Sequence, residues 1–250
     1  MEKNYGIKLL VLAAGQGKRL RSEATQIPKV MRTALGKPLV GYVLDAADFV
    51  SAEDTWLVVG FRKEAVMKAF PHLNFVEQTE RKGTGHAVLC AKEAFKDYDG
   101  DIMIVNGDMP LFSQETLAGI TEAHKKSGVA CTMLTYTVEG EIPPFGHIIR
   151  DSEGFVCDIV EHKDATEEQK LIRELNAGLY IFSAKELFSA LERLTPSTAT
   201  GEYYLTALPA LLKEDGFKTQ AFPLKDADEL LGVNTEEDLL KVEECLRNKL

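Results

Sequence analysis

Between Leu12 and Lys37 the sequence sets small residues beside a concentration of positive charge. Leu12-Ala13-Ala14-Gly15-Gln16-Gly17-Lys18-Arg19 is followed by Arg21, Pro28-Lys29, Arg32 and Lys37. Small side chains let backbone N–H groups close on an anion. Six cations against the single acid Glu23 reverse the sign of a chain whose formal charge is −10. A phosphate-handling loop accounts for both features together; an ordinary strand-to-helix turn accounts only for the glycines, and a solvated basic face only for the charges. Two common phosphate loops fail on spacing. Gly17-Lys18 is followed by Arg19 where a Walker A loop needs Ser or Thr. Leu20 stands where the dinucleotide fingerprint needs its third glycine. Further along, Gly107-Asp108 ends an apolar run in a carboxylate suited to Mg²⁺, or to a simple turn. Gln78 offers an amide donor and acceptor after another such run. Asn234 follows a third, as a cation ligand or as the N-cap of the last helix. No Ser/His/Asp or Cys/His arrangement stands out, and neither the five histidines nor the four cysteines have metal spacing.

The elements that must position these groups alternate. Strands are predicted at Ile7–Leu12, Thr55–Val59, Asn74–Glu77, Asp101–Val105 and Val129–Thr137. Helices are predicted at Pro38–Val50, Lys63–Phe70, Gly85–Phe95 and from the N-cap Ser113 to Lys126. The alternation means an α/β fold: a doubly wound, mostly parallel sheet with helices on both faces. After the Pro143-Pro144 break come a hairpin, His147–Arg150 with Phe155–Glu161, and strands at Gly178–Phe182, Thr219–Phe222 and Leu230–Val233. Helices are expected at Thr166–Arg173, Ala184–Leu194, Glu202–Glu214 and Glu236–Lys249. The chain has 250 residues, 45% hydrophobic and 27% charged, enough to bury a core as one domain over 1–250. The acidic balance argues against a nucleic-acid partner. No apolar run approaches the ~20 residues of a membrane span, so no membrane partner is expected. The N-terminus, with Glu2 and Lys3, is no signal peptide, and scattered cysteines form no disulfide framework; a cytoplasmic location is the expectation.

The stretch Leu12-Ala13-Ala14-Gly15-x-Gly17-x-Arg19, with Pro28-Lys29, resembles the signature of sugar-1-phosphate nucleotidylyltransferases. Later segments narrow the resemblance to the N-acetylglucosamine-1-phosphate uridylyltransferase domain of GlmU-type enzymes. They are Gln78, Gly83-Thr84-Gly85-His86-Ala87, Gly107-Asp108-Met109-Pro110-Leu111, Ile159 through Thr166, Asn176-Ala177-Gly178, Gly201 through Thr206, and Gly232-Val233-Asn234. Their order and spacing match from about Ile7 to the C-terminus. The resemblance implies a Rossmann-like sheet of the nucleotide-diphospho-sugar transferase type with a small β-containing lobe. Approximately 1–140 would be a nucleotide-binding half and 141–250 a sugar-binding, closing half. It implies attack of a sugar 1-phosphate oxygen on the α-phosphorus of UTP, with Mg²⁺, giving a UDP-sugar and pyrophosphate. A cytidylyl- or thymidylyltransferase is the alternative within the same chemistry, and a nucleotide-sugar-binding regulator without turnover the alternative outside it.

The resemblance also implies roles. Leu12, Ala13, Ala14 and Gly15 would line the nucleotide, with Gln78 and Gly83 reading the uracil edge and Thr84 close by. Arg19 would grip the departing phosphates and Lys29 the α-phosphate, while Asp108 and Asn234 would hold the metal. Gly146, Glu161 and Asn176 would hold the sugar, and Tyr204 and Thr206 would face its phosphate. Partners would be small-molecule substrates, the chain a monomer or weak oligomer. Asn106 stands where the family usually has an aromatic beside the acetyl group, Arg81 replaces a usual Gln, Ala207 a usual Asp, and the loop from Arg19 to Pro28 is long. Hexapeptide repeats are absent, so neither acetyl transfer nor trimer formation through a β-helix is expected of this chain.

Overall fold

Ile7–Ala13 is apolar everywhere but Lys8 because, as strand β1, it lies inside the sheet with a parallel neighbour on each side. The computed structural model describes residues 5–20 and 22–249. After β1 come α1 (Ser22–Thr25), the short strands β2 (Thr33–Ala34) and β3 (Lys37–Pro38), α2 (Leu39–Ala46), β4 (Thr55–Val59), α3 (Lys63–Ala69), β5 (Asn74–Glu77), α4 (Thr84–Leu89) and β6 (Asp101–Asn106). Then follow α5 (Gln114–Ser127), β7 (Cys131–Thr137), β8 (His147–Arg150), β9 (Val156–Val160), β10 (Glu174–Ser183), α6 (Ala184–Leu191), α7 (Leu208–Glu214), β11 (Thr219–Pro223) and α8 (Glu236–Lys249). One nine-stranded sheet runs β5-β4-β1-β6-β10-β7-β11-β9-β8, and β2 pairs with β3 apart from it.

Alternate residues of the central strands feed two cores. Leu9, Val11, Leu57 and Val105 pack with Val40 and Val43 of α2, Val66 of α3 and Leu117 and Ile120 of α5. Leu10, Val58, Ile102 and Ile104 face the other way, onto Val88 of α4, Leu187 of α6 and Leu208 and Leu212 of α7. Helices therefore cover both faces, which is why the strands read as near-continuous apolar runs. Leu239 and Val242 of α8 join Leu20, Leu39 and Val233 in a third cluster.

The expectation of a mostly parallel sheet holds for β5, β4, β1 and β6 and for the pair β7 and β11, and needs correcting elsewhere. β10 is antiparallel to both β6 and β7, and β9 is antiparallel to β11 and β8, so the sheet is mixed. The hairpin around Asp151–Gly154 accounts for the β8–β9 pair, because it reverses the chain without a crossover helix. The run Leu230–Val233 is not a strand. A 3-10 turn spans Ala227–Leu230, and the next four residues leave the sheet, held by the Val233 N–H on Asp108 O at 2.9 Å. Buried Glu229 fixes this turn by accepting from Ser113 N–H (3.2 Å) and the Thr116 hydroxyl (3.1 Å) at the N-terminus of α5. Thr166–Arg173 is not a helix either: Thr166 and Gln169 cap each other, but with no apolar face to bury the turn stops at Leu171. Glu202–Tyr204 is extended, and helical structure begins only at Leu205. Tyr203 bonds instead to Lys82 O (2.7 Å) and to Gly85 N–H (2.8 Å).

Candidate active site

β1 and β6 are adjacent parallel strands, so the chain turns after Ala13 and Asn106 open side by side at their C-terminal ends. The Gly107 N–H donates to Leu12 O at 3.0 Å and ties the two turns together. A Cβ on Gly107 would sit 3.1 Å from that oxygen and from Val30 Cγ1, so glycine is what lets the turn close and deliver Asp108. The bond from Val233 to Asp108 O then brings Asn234 to the same place, although 126 positions separate it from Asp108. Asn234 is not the cap of α8. Thr235 and Asp238 cap it reciprocally: the Asp238 carboxylate accepts from the N–H groups of Asn234 and Thr235, both at 2.9 Å, and Thr235 Oγ1 accepts from Asp238 N–H at 3.1 Å. The Asn234 side chain is thereby released, and its Oδ1 accepts from Lys29 Nζ at 2.8 Å. The same ammonium forms an ion pair with the Asp108 carboxylate. Lys29 and Asp108 are 14% and 20% exposed, shielded enough for their charges to matter. One cation thus touches both oxygens. A carboxylate and an amide oxygen converging on a point form a hard donor set that fits Mg²⁺, which keeps most of its shell for water and phosphate.

Two clefts meet here. The first, of about 270 Å³, is lined by Leu12, Ala14, Gly15, Lys29, Gln78 and Thr84 among others. Ala13 does not line it: this residue is buried in the core. Gln78 is anchored by its N–H on Val59 O (2.8 Å), and its Nε2 donates to Gly83 O at 3.0 Å. Gly83 has φ +101°, and a Cβ there would lie 2.5 Å from Tyr203 O, so no other residue fits this wall. Thr84 Oγ1 accepts from Leu205 N–H at 3.0 Å and clamps the wall to the extended Glu202–Tyr204 segment.

The second cleft, of about 260 Å³, shares Asn106 and Asp108 with the first and adds Gly146, Glu161, Asn176 and Asn234. β10 shifts register between Asn176 and Tyr180, and Asn176 Oδ1 accepts from Gly178 N–H at 3.1 Å within that irregularity. The Asn176 N–H donates to Gly146 O at 2.8 Å. Tyr204 and Thr206 do not enter this cleft. Both line a separate cavity, of about 300 Å³, that also borders Glu161. Buried Thr206 donates to Glu161 Oε1 at 2.7 Å, so it orients the carboxylate, and the Tyr204 hydroxyl donates to Thr200 Oγ1 at 2.8 Å.

The basic run divides. Lys29 reaches the junction. Arg19 is exposed and lines neither cleft. Arg32 makes a bidentate bond to Glu236, with both contacts at 2.7 Å, and another to Leu20 O at 3.0 Å. Lys37 pairs with Asp45 and lies over the Tyr42 ring at 4.8 Å. Arg32 and Lys37 therefore serve the fold. Arg21 and the Lys18 side chain fall outside the described residues. Sequence reasoning missed Glu202 in the first cleft and Met109, Phe145 and Gly232 in the second. Glu202, Met109 and Gly232 lie inside segments that carry the resemblance, and for Phe145 the signal was an aromatic straight after Pro143-Pro144. Arg81, noted as a departure, lines the first cleft and hydrogen-bonds buried Gln16 across it. No helix among the described residues is long and apolar enough to cross a membrane.

Comparison with known proteins agrees with this geometry. The model of the MobA-like NTP transferase domain matches residues 9–210. The Bifunctional protein GlmU of Clostridium novyi (strain NT) is 41% identical over 243 residues, covering 96% of this chain and 52% of that protein. That of Geobacillus thermodenitrificans (strain NG80-2) is 37% identical over 251 residues, covering 100% of this chain and 53% of its own length. The chain thus spans about half the length of the curated relatives it matches. The crystal structure of a UDP-glucose pyrophosphorylase complexed with UDP-glucose superposes with a TM-score of 0.76 at 20% identity, covering 97% of this chain and 99% of that one. That likeness establishes a shared fold.

Proposed function

The chain belongs to the MobA-like NTP transferase domain family, and from that premise we propose that it transfers a uridylyl group from UTP to a sugar 1-phosphate, releasing pyrophosphate. N-acetylglucosamine 1-phosphate is the first candidate acceptor, supported by the GlmU relatives. The observation that carries the reading is the meeting of two clefts at Asn106 and Asp108, with Lys29 and Asn234 at the junction. A reaction between two phosphorylated molecules needs one place where both polyanions meet and their charge is offset.

In this reading the first cleft takes the nucleotide. Leu12, Ala14 and Gly15 lie along it, and Gln78 and Gly83 read the base. The second cleft takes the sugar. Glu161, oriented by Thr206, and Asn176, oriented by Gly178, accept and donate to its hydroxyls beside the Gly146 backbone. Lys29 presents a compact charge to the α-phosphate, which shortens the approach of the attacking phosphate oxygen. Asp108 and Asn234 are the residues that would hold Mg²⁺, which when bound offsets phosphate charge and orients the leaving pyrophosphate. Arg19 stands free to close on the β- and γ-phosphates from the solvent side. The nucleotide half, approximately 1–140, and the sugar half, 141–250, interlock in this scheme, since Asn106 and Asp108 border the sugar and Glu202 the nucleotide. Small-molecule substrates, a cytoplasmic location and a monomer or weak oligomer complete it.

Pyrophosphate release, measured for UTP, CTP and dTTP against glucose 1-phosphate, N-acetylglucosamine 1-phosphate and related phosphates, tests the proposal. UTP with a sugar 1-phosphate should give the highest kcat/KM. Absence of turnover with every pair, under Mg²⁺, would overturn it.

A further inference from the structure

Gln78 is buried, yet its position beside the first cleft makes the direction of its amide decisive for what it can read there. That direction is fixed by two contacts. The atom 3.0 Å from Gly83 O must be the NH₂ group, because a carbonyl only accepts. The same Nε2 lies 3.1 Å from His86 Nδ1. With one amide hydrogen on Gly83 O, the other falls to His86, so Nδ1 must be the bare, accepting nitrogen of a neutral imidazole. Both hydrogens are then used. Gln78 Oε1 has no protein donor among the described residues and is not sealed in, so it opens on the cleft as a pure acceptor.

We propose that His86 is a positioning residue for base selection: its neutral Nδ1 locks the Gln78 amide with the oxygen toward the nucleotide, and protonation of His86 unlocks it. The inference rests on the reading of this cleft as the nucleotide site. An outward Oε1 matches a base edge that presents a ring N–H, as uracil and thymine do at N3. Cytosine has a bare acceptor at N3 and sets oxygen against nitrogen. A protonated His86 carries N–H at Nδ1 and faces the Gln78 NH₂ donor to donor. Rotating the amide satisfies His86 and turns NH₂ toward the cleft, where it suits cytosine, but it sets Oε1 against Gly83 O. The two demands then conflict, so the preference narrows rather than inverts.

Several ionisable groups face His86. Its ring is partly exposed, with the Tyr203 ring 6.5 Å away between centroids. The Cys90 thiol, on the same helix, is 3.8 Å from Nδ1. From the preceding loop, Glu80, paired with Lys82, is close enough for His86 to contribute to lowering its pKa, after the hydrogen bond and charge of Lys82 itself.

The test is the ratio of CTP to UTP dissociation constants, measured by calorimetry on the full chain at about pH 8 and about pH 5.5. Triphosphate protonation is common to both nucleotides and cancels. For the unaltered protein the ratio should fall by about tenfold toward low pH, the cost of one buried donor left facing a donor. His86→Leu leaves Gly83 O as the one lock on the amide, so its ratio should fall between the two extremes and should not change with pH. His86→Gln, whose side-chain oxygen accepts at any pH, should keep the high ratio at both. A ratio that stays high in the unaltered protein at both pH values overturns the proposal while leaving the uridine reading intact, and needs no variant to fold. A ratio near one at both pH values overturns the uridine reading instead, and the proposal with it. Equal weakening of UTP and CTP in His86→Leu marks a merely structural histidine and also overturns it.

Discussion

Replacing Asp108 by Asn separates what the Lys29–Asp108 pair does for folding from what it does for turnover. The substitution keeps shape and one acceptor oxygen and removes one negative charge. Exposed ion pairs contribute roughly 0.2–1 kcal/mol, and breaking a fully buried one costs about 3–5 kcal/mol. This pair is 14% and 20% exposed, between those limits, and Lys29 keeps its bond to Asn234 Oδ1 at 2.8 Å. About 1 kcal/mol of stability should be lost. For a chain of this size that lowers Tm by about 2–4 °C. The effect on reaction differs in scale. Loss of a charge aimed at the reacting phosphates costs about 3–4 kcal/mol of transition-state stabilisation, or 10²–10³ in kcat/KM. Pyrophosphate release read through a coupled assay, together with thermal unfolding and a Mg²⁺ titration of the rate, measures all three quantities. Activity within threefold of the parent would refute the metal-and-charge role. A Tm lowered by more than about 10 °C would show that Asp108 serves the fold instead.

Three further outcomes follow from other parts of the molecule. Arg19→Ala should leave unfolding unchanged within about 1 kcal/mol, since the side chain is exposed, and lower kcat/KM for UTP by about 10–100-fold; steady-state kinetics with unchanged constants would remove Arg19 from the site. Asn106→Tyr, which places an aromatic wall where the clefts join, should raise the kcat/KM ratio of N-acetylglucosamine 1-phosphate over glucose 1-phosphate by about tenfold, a methyl-sized contact; an unchanged ratio places acetyl selection elsewhere. Burial raises the Asp101 carboxyl, but the bonds from His124 and Lys125 outweigh it and pull the pKa down from 3.8 to about 2. A lowered folded value means stabilisation present above about pH 4 and lost as pH falls toward 2. Asp101→Asn should therefore cost about 1–2 kcal/mol at neutral pH, after discounting for solvent, and flatten the acid limb of a urea-unfolding series.

Sequence made the buried strands legible because a two-sided sheet demands unbroken apolar runs. Thr55–Val59 lies where its apolar run placed it, and the edge strands Asn74–Glu77 and His147–Arg150, which bury few residues, lie where shorter patterns placed them. Leu230–Val233 has the same pattern for another reason: its Val233 fills the cluster under α8, and no sheet edge was free beside Asp108. Glu202–Tyr204 was misread because its hydrogen-bond partners, Lys82 and Gly85, lie more than a hundred residues away. The same blindness to distance affected the site. Asp108, Lys29 and Asn234 were named from sequence, and the structure brings them into contact. Arg32 and Lys37 read as part of a phosphate patch because Glu236 and Asp45, which pair with them, could not be matched to them in advance. Tyr204 and Thr206 were expected at the sugar phosphate; both border a separate cavity, where Thr206 donates to Glu161.

The junction of the clefts lies where the sheet changes direction. β5, β4, β1 and β6 run parallel and end together, so their C-terminal turns line one continuous trough: Ala14 and Gly15 after β1, Gln78 after β5, Asp108 after β6. β10 comes next and runs the other way, pairing Leu179 with Val105. Its early residues therefore enter at the end where the parallel strands finish. This is why Gly178 O lies 3.4 Å from Asn106 Nδ2 and why Asn176 opens on the second cleft. A Cβ on Gly178, at φ +73°, would sit 3.0 Å from that same nitrogen, so the seam is closed as tightly as a glycine permits. Parallel strands alone give a single crevice. The antiparallel neighbour adds a second wall, with its own turns, facing the first across one carboxylate. In the proposed reading, a sheet with this seam holds two phosphorylated ligands on opposite sides of Asp108, the carboxylate that borders both clefts.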